Sequence, residues 1–290
     1  MILAARSGRW QRIARGARPA PEPAGMLPRF ARPLGVDVII DEGGRSWLVE
    51  LQHGFGRRGL IELFPAENRL YRKTYWRLRR ELGSSPRITE GVRRICSDKT
   101  RTLALLARHQ PPSFVFRGDE VALRAWLASL ETDFVLAKPP RGSCGVGILV
   151  LDRRELLAAS GPPALGEAIL LQAFVRSRPL QGPDGTPRVG CIRHVVLLTS
   201  DGERLRFLHL PSYWRVSPSP YVARADKDAL TANISRGAFP VPVAPEDEAR
   251  VAALSETVTR ELVAAIAGVR ELATGSSEWL VEHAHATPPG

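Results

Sequence analysis

The first residues that could do chemistry are two carboxylates, Asp37 and Glu50. They lie near the ends of two predicted strands in the segment 35–52, GVDVIIDEGGRSWLVELQ. The turn Glu42-Gly43-Gly44 joins the strands, so the segment predicts a hairpin that carries both acids. Carboxylate oxygens are the donors that hard divalent cations prefer.

Two lysines follow the carboxylates along the chain. Lys99 lies in SDKTRTLALL, and Lys138 lies in FVLAKPPRGSCGVGILV, directly before a glycine-rich stretch at 142–147. The second segment predicts a strand, a loop and a strand, and the backbone N–H groups of such a loop can close over phosphate oxygens. Acids and lysines together therefore predict a nucleotide site in which the acids come first.

Length and composition are those of an ordinary globular protein. The chain has 290 residues, 44% hydrophobic and 24% charged, which is enough for one compact domain with two or three subdomains. No apolar run reaches the roughly 18 residues that span a bilayer. The three cysteines lack metal-ligand spacing, so we expect neither a disulfide framework nor a zinc site. We expect a soluble protein of the reducing cytoplasm.

Much of the net charge of +11 lies near the start of the chain. Residues 1–34 have Glu22 as their only acid, and prolines oppose helix formation there. The arginines interrupt the apolar core that a signal peptide needs, and an organelle transit segment remains an alternative. We expect a flexible, solvated tail rather than a specific nucleic-acid-binding element. The arginines of this tail are Arg6, Arg9, Arg12, Arg15, Arg18, Arg29 and Arg32.

Apolar periodicity and capping residues predict an α+β fold with antiparallel sheets flanked by helices. Residues 68–82 form a basic amphipathic helix, which Gly83 to Pro86 terminates, and Asp98 and Asp119 each cap a further helix. Strands are predicted at 133–138, 146–151 and 168–175, a hairpin around the turn 200–203, and a last helix at 246–267.

These elements divide the chain into four units. The basic tail comes first, and the acidic hairpin follows together with the helical lobe that bears Lys99. The loop with its two strands forms the third unit, and the remaining chain forms the fourth. The expected boundaries are 1–34, 35–130, 131–180 and 181–290.

Taken in order, these motifs resemble the ATP-grasp superfamily of D-alanine-D-alanine ligase, glutathione synthetase and tubulin-tyrosine ligase. In that family a lysine at a helix start, a second lysine in a strand ending Lys-Pro, a glycine-rich flap and a short hinge hold ATP. The resemblance implies the following ATP-binding residues: Lys99, Lys138, Arg141, Gly142, Ser143, Cys144, Gly145, Val146, Gly147, Gln172, Ala173, Phe174, Val175 and, for the ribose, Asp184.

The resemblance also implies catalytic, metal and substrate residues. Arg193 in CIRHVVLLT and Arg215 in YWRVSPSPY occupy places comparable to the family's catalytic arginines. Asn233 in LTANISRGA resembles the family's Thr-Asn-x-Ser-x-Gly segment. Asp37, Glu50 and Gln52, together with Asn233, would hold one or two Mg²⁺ ions, and Gln52 stands where the family has Asn. A loop with Arg57 and Arg58 would face the substrate.

The metal hairpin departs from the family pattern in its position. Family members end with this hairpin, whereas here it precedes Lys99, which implies a circular permutation that moved it to the N-terminal side. The C-terminal SEWLVEH echoes RSWLVEL, so Glu282 is the alternative metal ligand in the ordinary order. In that version Arg270 and Ala284 replace two of the three oxygen donors, and we therefore favour Glu50.

The function implied by the resemblance is that of an ATP- and Mg²⁺-dependent carboxylate-amine ligase. A carboxylate would be activated as an acylphosphate and attacked by an amine to form an amide or peptide bond. The two substrates are not legible in the sequence, and a peptide or protein is among the alternatives. Two other hypotheses stay open: an ATP-binding protein without ligase turnover, and a basic nucleic-acid-associated protein.

Overall fold

The computed structural model describes residues 26–54, 56–142, 146–158, 168–182, 184–220, 237–270 and 272–280. Within them the chain is α+β, with antiparallel sheets and flanking helices, as the sequence predicts. No helix of these ranges is long and apolar enough to cross a membrane.

Twelve strands and seven α-helices make up the described chain. The strands are β1 (Arg29–Ile40), β2 (Ser46–Gln52), β3 (Ser113–Phe116), β4 (Phe134–Lys138), β5 (Leu149–Asp152), β6 (Ile169–Ala173), β7 (Leu180–Gln181), β8 (Pro187–Arg188), β9 (Gly190–Asp201), β10 (Leu205–Val216), β11 (Phe239–Pro242) and β12 (Thr274–Trp279). The helices are α1 (Arg58–Leu63), α2 (Pro65–Leu82), α3 (Pro86–Cys96), α4 (Lys99–Leu106), α5 (Glu120–Ala128), α6 (Arg153–Ala158) and α7 (Pro245–Ala267).

The larger sheet has six strands in the order β11-β10-β9-β1-β2, and β12 runs parallel beside β10. Its other pairings are antiparallel. One face packs against α3, α4 and α7 through aliphatic side chains such as Val36, Ile192 and Val258. The opposite face packs against α1 and α2 through a smaller cluster that includes Leu60 and Tyr213. The sheet is thus covered by helices on both sides.

A second, four-stranded antiparallel sheet has the order β3-β6-β4-β5. The short helices α5 and α6 cover it and share a separate apolar core with it, in which Leu123 and Leu127 of α5 contact Val135 and Leu171. Strands β7 and β8 form a small hairpin. The connection between β6 and β7 contacts the end of β1, where Arg178 donates its backbone N–H to the carbonyl of Ile40, 3.2 Å away.

Several predictions of local structure are confirmed. The strands β1 and β2 form the expected hairpin, and β9 and β10 form the second one. Asp98 caps α4 by accepting the N–H of Thr100 at 3.0 Å, and Asp119 caps α5 by accepting the N–H of Ala122 at 2.9 Å. The long last helix begins one residue before the expected start.

Three segments differ from the expectation. Residues 29–34, expected in the flexible tail, instead begin β1 and pair with β9 from Arg29 onward. Pro33 is compatible with this strand because β2 pairs only from Gly35, which leaves the second edge of β1 open at the proline. Pro86, expected to end a unit, begins α3, where Ser85 caps the helix. The expected substrate loop at 57–58 is the start of α1.

Gly59→Ala should lower the free energy of unfolding. A Cβ atom at Gly59 would lie under 3.0 Å from three ring carbons of Tyr213, whose side chain is fully buried between α1 and the sheet. We expect a loss of about 1–3 kcal/mol in urea unfolding, since overpacking forces rigid neighbours to move.

Gly54→Ala is the matched control for this substitution. An added Cβ at Gly54 meets nothing within 4 Å, so this variant should unfold like the wild-type protein. Equal stability of the two variants would contradict the close packing of α1 against Tyr213.

Candidate functional site

A cleft lies where the β1–β2 hairpin meets the start of α4 and the second sheet. Its cavity volume is only about 10 Å³, room for about one water molecule, and the roughly 300 Å³ of empty space around it includes open solvent. The polar side chains that line it are Glu50, Lys99, Thr102, Gln110, Lys138 and Gln172. The structure thus brings together the early carboxylate and both lysines that the sequence singled out.

Asp37 lies beside this cleft in a buried ion cluster with two arginines. Arg193 contacts both carboxylate oxygens, through Nε to Oδ1 and through a terminal nitrogen to Oδ2 at 3.0 Å. A terminal nitrogen of Arg215 lies 2.8 Å from Oδ2. The strand register explains this meeting, because β9 places Arg193 opposite both Asp37 and Tyr213, and Arg215 follows two residues later on β10.

The arginines set the protonation state of Asp37. Burial alone would raise the pKa of this carboxyl group, but attraction to Arg193 and Arg215 outweighs burial and holds the pKa below its usual value. Burial likewise opposes the charge on Arg215, yet Asp37 and the thiol of Cys191 raise the pKa of that guanidinium. Arg215 also donates to the sulfur of Cys191 at 2.6 Å. Asp37 and Arg215 therefore keep their charges.

Gln52 connects this cluster to the cleft. Its Nε2 donates to Oδ2 of Asp37 at 3.2 Å and to Oε2 of Glu50 at 3.1 Å. Asp37 and Glu50 are paired across the hairpin, and a register shift next to them leaves Val49 as an extra residue on β2. The direct pairing puts the two acids on one face of the sheet, and the bulge lies immediately beside them, where bulges often occur next to functional sites.

Lys99 joins three parts of the cleft wall. Its Nζ donates to the carbonyl of Gly142 in the expected flap at 2.7 Å and lies 3.9 Å from Oε1 of Glu50. Its backbone N–H donates to the carbonyl of Pro140 at 2.8 Å. The flap therefore starts from a position fixed against the beginning of α4.

Lys138 is buried and has a neutral partner. Its Nζ donates to Oε1 of Gln172 at 2.6 Å, and Gln172 in turn donates to Ser113 at 3.0 Å. Burial lowers the pKa of Lys138 to about 8, although the charge of Glu50 acts in the opposite direction. One of the three N–H bonds of the ammonium is used by Gln172, which leaves donors for an anion in the cleft.

The charges of the combined site do not balance. Four cationic side chains, Arg193, Arg215, Lys99 and Lys138, face the two carboxylates of Asp37 and Glu50. The site therefore has a formal excess of two positive charges. Buried charge is costly unless it is compensated, so this arrangement favours an anionic ligand.

The donor set is chemically compatible with Mg²⁺, which the family resemblance implies. No three His, Cys, Asp or Glu side chains are grouped to hold a metal in the described ranges. Glu50 and Asp37 nevertheless flank one amide group, and rotation of the Gln52 amide would offer an oxygen in place of its NH₂. Asp37 is the weakest of the three donors, because its oxygens already accept from both arginines.

The structure places the other predicted residues as follows. Arg141 is exposed and lies 3.9 Å from Asp98, and Val146 is also exposed. In the expected hinge, Gln172 and Ala173 are buried in β6. The backbone N–H of Phe174 donates to the carbonyl of Phe134, and the carbonyl of Phe174 accepts from the hydroxyl of Thr132. Ser143, Cys144, Gly145, Asn233 and Glu282 lie outside the described residues.

Asp184 and the two substrate arginines lie away from the cleft wall. Asp184, expected to bind ribose, is in the turn between β7 and β8, where it accepts from Thr186 and pairs with Arg188 at 2.8 Å. The hydroxyl of Thr186, its backbone N–H and Arg188 lower the pKa of Asp184 to about 2, which is the chemistry of a turn. Arg57 is half-buried before α1, and Arg58 is exposed.

Sequence reasoning missed two polar residues of the cleft, Thr102 and Gln110. Thr102 lies one turn after Lys99 on α4, so the helical period would have placed both on one face. Gln110 is 5% exposed, and its Oε1 has no hydrogen-bond partner among the residues that the structure describes. Nothing in the local sequence marks Gln110, since it follows a 3₁₀ turn and precedes two prolines.

Comparison with models of known protein families and with curated proteins found no match to this chain. The assignment of function therefore depends on the geometry described above.

Asp37→Asn should destabilise the protein by about 3–5 kcal/mol at neutral pH, because it leaves two buried arginines without a counter-charge. The wild-type protein should lose the same stabilisation as the pH falls below the ordinary carboxyl pKa of 3.8, since the folded-state pKa is lower. Urea unfolding of the variant at neutral pH and of the wild-type protein across the acidic range measures these two losses of stability. The control is Asp133→Asn at an exposed position, for which a change within about 0.5 kcal/mol is expected.

Lys138→Met should change how stability depends on pH. The pKa of Lys138 is about 8 in the folded protein against 10.5 as its ordinary value, so between them the unfolded chain binds more protons. The stability of the wild-type protein relative to the variant should therefore increase from about pH 8 to pH 10. Lys73→Met, at an exposed position, should show no such trend. If the free energies of unfolding of the wild-type protein and Lys138→Met changed with pH in parallel, the buried position of Lys138 and its lowered pKa would be contradicted.

Proposed function

We propose that this protein is an ATP- and Mg²⁺-dependent carboxylate-amine ligase of the ATP-grasp type. The observation that carries the proposal is the meeting of Lys99, Lys138 and Glu50 in one cleft whose surroundings have an excess of positive charge. A triphosphate is the kind of ligand that would compensate this excess. The residues that meet are those that the family resemblance selected.

The position of the hairpin supports a permuted order of the family's elements. β1 pairs with β9 along ten residues from Arg29 to Val38, so the N-terminal hairpin is an integral edge of the large sheet. Glu50 and Gln52 therefore reach the cleft from the start of the chain. In this order Glu50 lies in the same cleft as Lys99 and Lys138, while Asp37 lies beside it.

Unused hydrogen-bond donors indicate where an anion would bind. Lys138 has N–H bonds that Gln172 does not use, and the buried Nε of Arg215 has no hydrogen-bond partner within the described ranges. Charge-assisted hydrogen bonds to phosphate are short and strong, and a guanidinium can bind two oxygens at once. We assign Lys99 and Lys138 to the ATP phosphates, and Arg193 and Arg215 to the transferring phosphoryl group and the substrate carboxylate.

The reaction would have two steps. An oxygen of the substrate carboxylate attacks the γ-phosphorus, the bond to the β-phosphate oxygen breaks, and ADP leaves an acylphosphate behind. The nitrogen of an amine then attacks the acyl carbon, phosphate leaves, and the nitrogen loses a proton to solvent. Glu50 and Gln52, with Asp37 beside them, would hold Mg²⁺, which supplies neutralisation of the phosphate charge. The side chains contribute position and charge rather than a covalent nucleophile.

One observation favours a second function, nucleotide binding without turnover. Both oxygens of Asp37 are engaged by arginines, and Gln52 replaces the shorter Asn of the family pattern. If the arginines stay paired with Asp37, they are not available to the transferring phosphoryl group. ATP would then bind through the lysines alone.

Lys138→Met should weaken ATP binding at least about 10-fold, because a charge-assisted hydrogen bond contributes about 1.5–3 kcal/mol. Titration calorimetry with ATP and Mg²⁺ measures this, and an ADP-release assay with a panel of carboxylates and amines measures turnover. Arg215→Gln should reduce ADP release more than it reduces ATP affinity.

Arg117→Met serves as the control, since Arg117 is exposed between β3 and α5, outside the cleft, and should leave both measurements unchanged. Unchanged ATP affinity in folded Lys138→Met would overturn the assignment of the phosphate site. Tight ATP binding with no ADP release for any substrate pair would favour the second function over the ligase.

A further inference from the structure

The outward face of α2 is a basic stripe around one exposed tryptophan. Trp76 is 57% exposed, and its ring leans on that of Tyr75 with centroids 5.1 Å apart. Basic side chains precede and follow it at helical spacing, so they share its face or flank it. The exposed basic residues are Arg69, Arg72, Lys73, Arg77 and Arg80. At 1.5 Å per residue the stripe is about 16 Å long.

Most of this charge has no counter-charge nearby. Arg77 pairs with Glu81 at 3.9 Å, and both side chains are largely solvent-exposed. Arg69, Arg72, Lys73 and Arg80 have no ion pair with any residue that the structure describes. Like charges at such spacing repel one another. The stripe therefore favours a partner that brings a row of negative charges.

The opposite face of α2 is used for packing. Tyr71 is buried against the large sheet, and Tyr75 and Leu78 pack around the same cluster. The helix consequently keeps its orientation, and its apolar side is not free to enter a lipid bilayer. A membrane partner would have to bind through charge and Trp76 alone, without the apolar face that interfacial helices insert.

We infer that this stripe is a binding site for single-stranded nucleic acid. The guanidinium groups and Lys73 would contact successive backbone phosphates, and an unpaired base would stack on the exposed ring of Trp76. Phosphate contacts supply affinity without sequence preference, while stacking on an aromatic ring selects unpaired bases over a closed duplex. An acidic peptide offers the charge but no flat ring for Trp76 to stack on. The inference is independent of the proposed ligase activity.

Fluorescence anisotropy with a labelled single-stranded oligonucleotide tests this site in the full-length protein. The triple variant Arg72→Gln/Lys73→Gln/Arg80→Gln should bind at least about 10-fold more weakly. The slope of the logarithm of affinity against the logarithm of salt concentration should fall by about 2, since each phosphate contact contributes about 0.7.

The matched control changes the same charge elsewhere. Arg117→Gln/Arg154→Gln/Arg204→Gln removes three exposed cations outside α2 and leaves the arginine-rich segment before residue 26 intact, as the first variant does. It should keep wild-type affinity and salt slope. An equal loss in both triple variants would show that only net charge matters and would overturn the site.

Trp76→Leu separates stacking from charge. It should weaken single-strand binding by about 5- to 150-fold, corresponding to about 1–3 kcal/mol per stacked base, while the salt slope stays unchanged. Duplex binding should be weaker than single-strand binding and insensitive to this change. Tighter binding to polyglutamate or to phosphatidylserine vesicles than to the oligonucleotide would overturn the assignment of the partner.

Discussion

The ion cluster of Asp37, Arg193 and Arg215 is the constraint on which the arrangement of the site depends. One buried carboxylate holds two guanidinium groups from neighbouring strands, and it does so from the first strand of the chain. Removing any partner leaves uncompensated charge in the interior, which costs more than an exposed ion pair contributes. The cluster therefore fixes the register of β1 against β9, and this register also determines where Glu50 and Gln52 lie.

The two faces of the large sheet have separate tasks. The face against α3, α4 and α7 contains the main apolar core, and Lys99 begins one of these helices. The other face contains the Asp37 cluster beneath α1 and α2. A second polar chain on the core side links His194 to His209 at 2.8 Å and His209 to Glu256 at 2.9 Å. Burial lowers the pKa of both histidines, which favours their neutral forms, and the chain ties β9 and β10 to Glu256 of α7.

Much of the local structure could be predicted because local signals determine it. The turn at Gly43-Gly44 and the alternation around it specify the hairpin, and Asp98 and Asp119 mark helix starts by the hydrogen bonds that they accept. Proline is a misleading signal at two points of this chain. Pro86 suits the first turn of α3, because a backbone N–H at that position has no partner within the helix and its loss costs nothing. Pro33 suits an open strand edge.

The composition of the site could be predicted only in part. Asp37, Glu50, Lys99 and Lys138 stood out by residue type and spacing, but the pairing of Asp37 with Arg193 joins residues 156 positions apart and has no local signal. Gln110 was missed for the same reason. Asp184 was assigned to ribose from its place after the hinge, whereas its partners are the neighbouring Thr186 and Arg188. Local sequence identifies which groups could react, and the strand register determines which of them meet.

The pairing of β1 with β9 also has a consequence for synthesis on the ribosome. The first strand is complete at Ile40, yet its partner does not begin until Gly190. At about 5–20 residues per second, β1 waits about 8–30 s for β9, with the buried edge of an apolar strand uncovered during that time. Long-range pairings of this kind are the slow steps of folding. The nascent chain thus has a period of vulnerability to aggregation before β1 finds its partner.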